Sequence, residues 1–346
     1  MICVYMVLAL TALIGIKVYP KGFNDAYLSK DTTLAIKGFF VVLVFCRHFK
    51  QYVSFENNNL LDRLFVFADT LLWQLIVVMF LFYSGYGILV QIRNKGREYV
   101  VSFLKRRLFP VWLNFAVCIC LFIITDVILG TIRDYSWWQI ALSFTGWTSI
   151  GNSTWFMFDT FVLYLLVFVV FRFRDIKWNL VIFTGLTTIL AVVLFFAKNE
   201  TWWNTILCFP LGMWYGYYKD RIDGLMRKQL TYWVVTIPLA LILGMVLRFH
   251  YRDRGITYVI VSALFALFVT LATMKVNVGN AVLRFLGKHL FSIYILQRIP
   301  FMIFQNYIEN VYLFFVASLA VTLVMAVLYD MAFERVKGAV INRIAS

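Results

Sequence analysis

Lys37 and His48 stand eleven positions apart in a stretch, residues 33–53, that is otherwise apolar enough to cross a membrane. At about 100° and 1.5 Å per residue, eleven residues make roughly three helical turns. Both side chains therefore share one face, about 16 Å apart along the axis. A hydrocarbon core is about 30 Å thick, so the two sit at different depths on one stripe. Ionisable groups at such depth are costly and mark a functional site by default, facing a polar cavity. An imidazole in that setting suits proton transfer or transient covalent catalysis, and a lysine supplies a compact positive charge. Asp159, one turn after Trp155 in another apolar run, is a third such group, suited to orienting an imidazole. The plainer alternatives are a structural histidine at a helix end, a lysine snorkelling to the interface, and an aspartate salt-bridged to another helix.

The elements that must hold these groups are helices in a bilayer. The 346 residues are 62% hydrophobic and 14% charged, with a mean hydropathy of +0.82. A soluble domain is nearer half apolar and about 25% charged. No polar block of domain size interrupts the chain, so it reads as one all-α polytopic transmembrane domain spanning 1–346. The net charge of +15 would suggest nucleic acid in a soluble chain, but here the positive-inside rule accounts for most of it. The cysteines, Cys3, Cys46, Cys118, Cys120 and Cys208, lie in apolar runs. They show neither metal-ligand spacing nor a disulfide framework, so no metal is expected.

Hydropathy gives about eleven transmembrane spans: 2–19, 33–53, 68–92, 108–130, 154–171, 179–197, 202–218, 231–249, 256–274, 287–305 and 311–332. Assigning alternate loops to alternate sides places 23 of the 32 Lys and Arg on one side and nine on the other. That split predicts a cytoplasmic C-terminus and a cell-membrane protein. Lys37 then lies near the cytoplasmic side, and His48 beyond the midplane. The longest loops, 54–67 and 131–153, face outward. Trp137, Trp138, Trp147, Trp202 and Trp203 suit interfacial anchoring there.

Several motifs occur in a telling order. Lys37-x10-His48 is followed by Phe82-Tyr83-Ser84-Gly85-Tyr86 and by Leu104-Lys105-Arg106-Arg107-Leu108-Phe109-Pro110. Then come Trp155-Phe156 opening a helix, Leu211-Gly212-Met213, and Leu286-Gly287-Lys288 with Ser292-Ile293-Tyr294-Ile295-Leu296. Together they resemble the acyltransferase-3 family of integral membrane O-acyltransferases that act on glycans. The similarity covers roughly residues 30–333. It implies a ten-helix core, with residues 1–20 an additional N-terminal helix and 334–346 a cytoplasmic tail. There are two departures. Lysine stands at position 37 where arginine is usual, which keeps the charge but loses the bidentate fork. Gln297 stands where many members have histidine, so it is not expected to be a catalytic base.

The resemblance implies transfer of an acyl group, usually acetyl, from cytoplasmic coenzyme A thioester to a sugar hydroxyl. A hydroxyl is a poor nucleophile at neutral pH and wants a base. His48 is expected either to serve as that base or to carry the acyl group, and the residues alone leave both open. Lys37, Lys105, Arg106 and Arg107 are expected to hold the coenzyme's phosphates, within a basic cluster that also includes Arg93, Lys95 and Arg97. Ser84, Gly85, Trp155 and Tyr294 read as structural motif positions, the first two allowing close helix approach. Arg248, Arg252 and Arg254, basic residues on the outer side with His250 among them, could hold an anionic glycan or lipid-linked acceptor, or lipid headgroups. His289, at a helix start, reads as structural. A transporter or flippase of a lipid-linked sugar is the competing class. It would need broken helices in two matching halves, and the sequence has no such repeat.

Overall fold

A computed structural model of the protein describes residues 1–55, 60–172, 175–250, 253 and 255–345. It is helical almost throughout. The order is α1 (Ile2–Leu13), α2 (Lys30–Phe49), α3 (Leu60–Leu72), α4 (Leu75–Val101), a π-helical turn over Leu104–Leu108, α5 (Phe109–Leu129), α6 (Trp137–Ser143) and α7 (Trp155–Val170). It continues with α8 (Ile176–Ala197), α9 (Cys208–Met226), α10 (Gln229–His250), α11 (Ile256–Thr273), α12 (Ala281–Lys288), α13 (Leu290–Leu296), α14 (Arg298–Phe304) and α15 (Val311–Ala345). Among the described residues the only sheet is a two-residue antiparallel ladder, β1 (Lys17–Val18) on β2 (Val276–Asn277).

Among the described residues, seven helical stretches are long and apolar enough to cross a membrane: Lys30–Phe49, Leu60–Val101, Leu104–Leu129, Ile176–Ala197, Gln229–Phe249, Ile256–Thr273 and Val311–Arg335. An all-α membrane protein is therefore supported, whereas eleven full-length spans are not. The other four expected spans fall on α1, α7, α9 and the α13–α14 pair. The 12 residues of α1 rise only about 18 Å. The second half of α9 carries Lys219, Asp220, Arg221 and Asp223, which lowers its hydropathy. The expected span 287–305 is divided, with Gln297 at the junction of α13 and α14.

Two expected loops differ as well. The outer loop 54–67 leads into α3, because Leu60, Leu61, Leu64, Phe65 and Ala68 recur at helical spacing around Asp62 and Arg63. Trp73, at φ 34°, then turns the chain into α4. The basic loop after residue 92 is largely helix too, since α4 runs on to Val101 past a left-handed Gly96.

Contacts divide the chain into two compact units. The first comprises Met1–Phe40, Glu56–Val101 and Leu166–Gly287; the second comprises Val41–Phe55, Ser102–Leu165 and Lys288–Ser346. Within the first unit, helix pairs meet backbone to backbone at reciprocal glycines. A Cβ on Gly85 would lie 2.0 Å from the Phe209 carbonyl oxygen, and one on Gly212 would lie 2.0 Å from that of Phe82, so α4 and α9 touch where neither can carry a side chain. The same holds for α2 and α12. A Cβ on Gly38 would lie 1.9 Å from the Leu283 oxygen, and one on Gly287 would lie 1.9 Å from the Leu34 oxygen. Small residues allow this close approach, which membrane helices use in place of a hydrophobic driving force. The Gly38 contact fixes the first half of α2, the half that carries Lys37.

The second unit packs through aromatic rings. Phe45 and Phe49 of α2 lie 4.9 and 5.6 Å from Phe301 of α14, centroid to centroid, and Phe49 lies 4.8 Å from Phe314 of α15. This cluster anchors the other half of α2, at the turn that carries His48.

Candidate functional site

His48 lies in the last turn of α2, partly buried. Its Nδ1 is 2.9 Å from Nε2 of Gln297, and its ring lies 5.9 Å from that of Tyr294. Tyr294 in turn stands 5.4 Å from Phe156, edge to face, and so links α13 to α7. Gln297 is fully buried. Its Nε2 also donates to the Tyr294 carbonyl oxygen at 3.0 Å, while its Oε1 has no partner among the described residues. Arg298, the next residue, donates to Gln51 Oε1 at 2.5 Å. Arg298 and Arg47 are both near enough for their charges to act on the imidazole. No described residue is hydrogen-bonded to His48 Nε2.

Asp159 is fully buried in α7. Neither carboxylate oxygen has a hydrogen-bond partner among the described residues. It makes no hydrogen bond to an imidazole among the described residues, and His48 Nδ1 faces an amide, Gln297, instead. Asp159 is close enough to act electrostatically on Tyr294. Trp155 opens α7 as expected.

A cavity of about 650 Å³ lies between the π-helical turn, the starts of α5 and α13, the end of α12 and the stretch of α15 around Asp330–Glu334. Arg106, Arg107, Lys288, His289, Asp330 and Glu334 line it. The π turn delivers the two arginines, and Pro110, in the first turn of α5, fixes the direction in which that helix leaves. His289 precedes α13 and is bonded through Nδ1 to Asp330 Oδ2 at 2.5 Å. Ser292 donates to the other oxygen of the same carboxylate. A carboxylate behind an imidazole fixes its orientation and tautomer. The carboxylate–imidazole pair expected at His48 thus occurs at His289. The cations that line this cavity, Arg106, Arg107 and Lys288, are ones that the Lys and Arg count assigns to a single membrane side.

The basic cluster expected to act together is divided. Arg106 and Arg107 line the cavity, whereas Lys105, on the same turn, does not. Arg93 belongs to the first unit, donating to the Gly216 carbonyl at 3.1 Å and lying 3.7 Å from Asp220. Lys95 and Arg97 are exposed. A second pocket, apolar and about 450 Å³, borders the other side of the π turn, with Leu104, Leu108, Trp112, Phe158 and Phe161 among its walls.

Lys37 is partly buried, and no acceptor among the described residues is within hydrogen-bond distance of it. It lies in α2, the helix that also carries His48. Gly85 makes the close helix contact described above, and Ser84 adjoins it. Arg248 lies over the ring of Phe249 at 5.9 Å. Arg252 and Arg254 lie outside the described residues, as does the side chain of His250.

Gln297, His289 and Asp330 are polar groups that the structure joins to the two imidazoles and that sequence alone does not pair: Gln297 stands out there only as a residue that is no base, and His289 reads as structural. Asp330 carried a usable signal, an acid inside the apolar run 311–332.

Neither the proteins of curated function nor the solved structures yield a match. A family model described as an acyltransferase domain, acyltransferase 3, matches residues 35–331 and so covers most of the chain. Its span takes in Lys37, His48, the π turn, Asp159 and Gln297. On that match, with its apolar helices, the chain belongs to the acyltransferase-3 family of membrane acyltransferases.

Proposed function

We propose that this membrane acyltransferase transfers an acetyl group from a coenzyme A thioester to a hydroxyl of a cell-surface or lipid-linked glycan. The observation that carries the reading is the cavity ringed by Arg106, Arg107 and Lys288. Coenzyme A is a multiply phosphorylated donor, and guanidinium forks match phosphate geometry. In this reading the cavity faces the cytoplasm and takes the phosphates, with Lys105 adding to its field. Lys37 supplies a further cation on the stripe that leads to His48.

In the reaction, the acceptor hydroxyl oxygen bonds to the acetyl carbon and the carbon–sulfur bond breaks. The hydroxyl proton ends on the coenzyme sulfur. His48, on the same stripe and with Nε2 unengaged, is the group we place at the reacting acetyl carbon. Asp159 supports this centre through Tyr294. Arg248, with Arg252 and Arg254, would hold an anionic part of the acceptor or the headgroups of membrane lipid. The chemistry calls for no metal.

The test is mass spectrometry of surface glycans from cells with and without the protein. Loss of one acetyl increment on deletion, restored by the wild-type gene and not by His48→Ala, is the expected result. Unchanged acetylation would overturn the reading, and altered glycan export with acetylation intact would favour a transporter.

A further inference from the structure

We propose that Gln297 locks His48 as the tautomer with its proton on Nε2, so that His48 meets the acyl group as a hydrogen-bond donor rather than as a base. This inference rests on the reading that His48 stands at the reacting acetyl carbon. It deepens that reading by choosing among the imidazole's roles.

The Gln297 amide nitrogen has two protons. One is directed at the Tyr294 carbonyl oxygen, 3.0 Å away, and the other at His48 Nδ1, 2.9 Å away. Turning the amide over would set Oε1 against the Tyr294 oxygen, acceptor facing acceptor. The side chain is fully buried, so no solvent is at hand to relieve that clash. The nitrogen must therefore face both partners. With an N–H pointing at it, Nδ1 has to be the acceptor, because a proton there would set two donors face to face. In the neutral ring the proton is then on Nε2, the nitrogen with no partner among the described residues.

Two of the roles open to His48 need a lone pair. A general base must accept the hydroxyl proton, and an acyl carrier must attack with nitrogen. The only lone pair in this tautomer is on Nδ1, which Gln297 covers. What remains is an N–H aimed outward. Such a group stabilises the negative charge that builds on the acetyl carbonyl oxygen as the hydroxyl adds, and removing a donor of that kind costs about 10²- to 10³-fold in rate. Gln297 is on this account a positioning residue, and His48 the group that touches the substrate.

Two measurements on the full-length protein in lipid vesicles decide the matter. In the first, ¹⁵N-histidine solid-state NMR assigns the His48 signals by their loss in His48→Gln. We expect a protonated Nε2 and a hydrogen-bonded, unprotonated Nδ1. Gln297→Glu, which turns the partner into a pure acceptor, should move the proton to Nδ1. In the second, acetyl transfer from labelled acetyl-coenzyme A to membrane glycan is compared in His48→Gln and His48→Ala. Glutamine still offers an N–H, so His48→Gln should exceed His48→Ala by about tenfold or more. A wild-type proton on Nδ1, an unchanged tautomer in Gln297→Glu, or a His48→Gln as inactive as His48→Ala would each overturn the proposal. Should Gln297→Glu not fold, the wild-type spectrum and the His48 pair still decide. If the wild type itself transfers no acetyl group, the proposed reaction fails, and the spectra still report on the tautomer.

Discussion

The two compact units are built on opposite terms. The first closes helix on helix until nothing fits between them: at Gly38, Gly85, Gly212 and Gly287 an added methyl group would sit about on top of a carbonyl oxygen. Its polar ties are structural as well. The Tyr27 hydroxyl donates to Asp223 at 2.6 Å and lies 3.0 Å from that of Tyr215. The second unit contains both cavities described above, both imidazoles with defined partners, and a buried carboxylate at Asp159 with no hydrogen-bond partner among the described residues. Close packing gives rigidity, whereas chemistry needs space and polar groups held for use. The motifs around Gly85 and Gly212 fall in the first unit, and those at Lys105–Pro110, Trp155–Phe156 and Ser292–Leu296 in the second.

This contrast can be broken by substitution. The largest effect should come from Gly85→Val or Gly38→Val. Overpacking a core ordinarily costs about 1–3 kcal/mol and more against rigid backbone, so we expect loss of folded protein, read as loss of the monodisperse peak in detergent. Normal yield from either variant would dissolve the distinction. Next comes His48→Ala, which should lower acetyl transfer about 10²- to 10³-fold while leaving yield and melting temperature in place. Third is the pair Arg106→Ala and Arg107→Ala. Each removes a charge-assisted contact worth about 1.5–3 kcal/mol, so KM for acetyl-coenzyme A should rise roughly tenfold or more per site, with kcat less affected. A pure kcat defect would take the phosphates out of the cavity.

The smallest effect belongs to Tyr27→Phe, which deletes one hydrogen bond to a carboxylate, about 1.5–3 kcal/mol, and should lower the melting temperature by a few degrees without touching KM. Burial, with Tyr215 and Asp223 close by, pushes the Tyr27 phenol well above its usual range. The folded state therefore holds that proton more tightly than the unfolded chain does. Its contribution should persist at any pH below about 10 and fade as pH rises beyond it. A melting-temperature difference that vanished at neutral pH would contradict this.

What the sequence disclosed, and what it hid, follows from how the groups act. Lys37 and His48 were conspicuous because charge inside an apolar run is rare. Gln297 was not, because a neutral amide gives no sign of its two bonds until the helix junction brings it to His48. His289 and Asp330 are 41 residues apart, and no periodicity joins them. Composition suits Trp202 and Trp203 to interfacial anchoring, yet both are buried, whereas Trp137 and Trp138 are exposed and stacked on each other at 3.6 Å. Composition shows that a ring needs covering without saying whether lipid or protein covers it. The expected count of eleven exceeds the seven full-length stretches where polarity and length part company. In α9 the charges of the second half lower the hydropathy of an expected span, and over 287–305 continuous hydropathy conceals the junction of α13 and α14.

The five-residue π turn at Leu104–Leu108 has a mechanical consequence. A π turn is an α-helix holding one surplus residue, and here that surplus sorts neighbours in the chain to different walls: Arg106 and Arg107 to the charged cavity, Leu104 and Leu108 to the apolar pocket. Deleting a single residue from it would restore ordinary winding within the turn and re-aim the side chains that the surplus residue now spreads apart. A one-codon lesion that leaves every arginine in the gene would then swing the guanidinium groups away from their station.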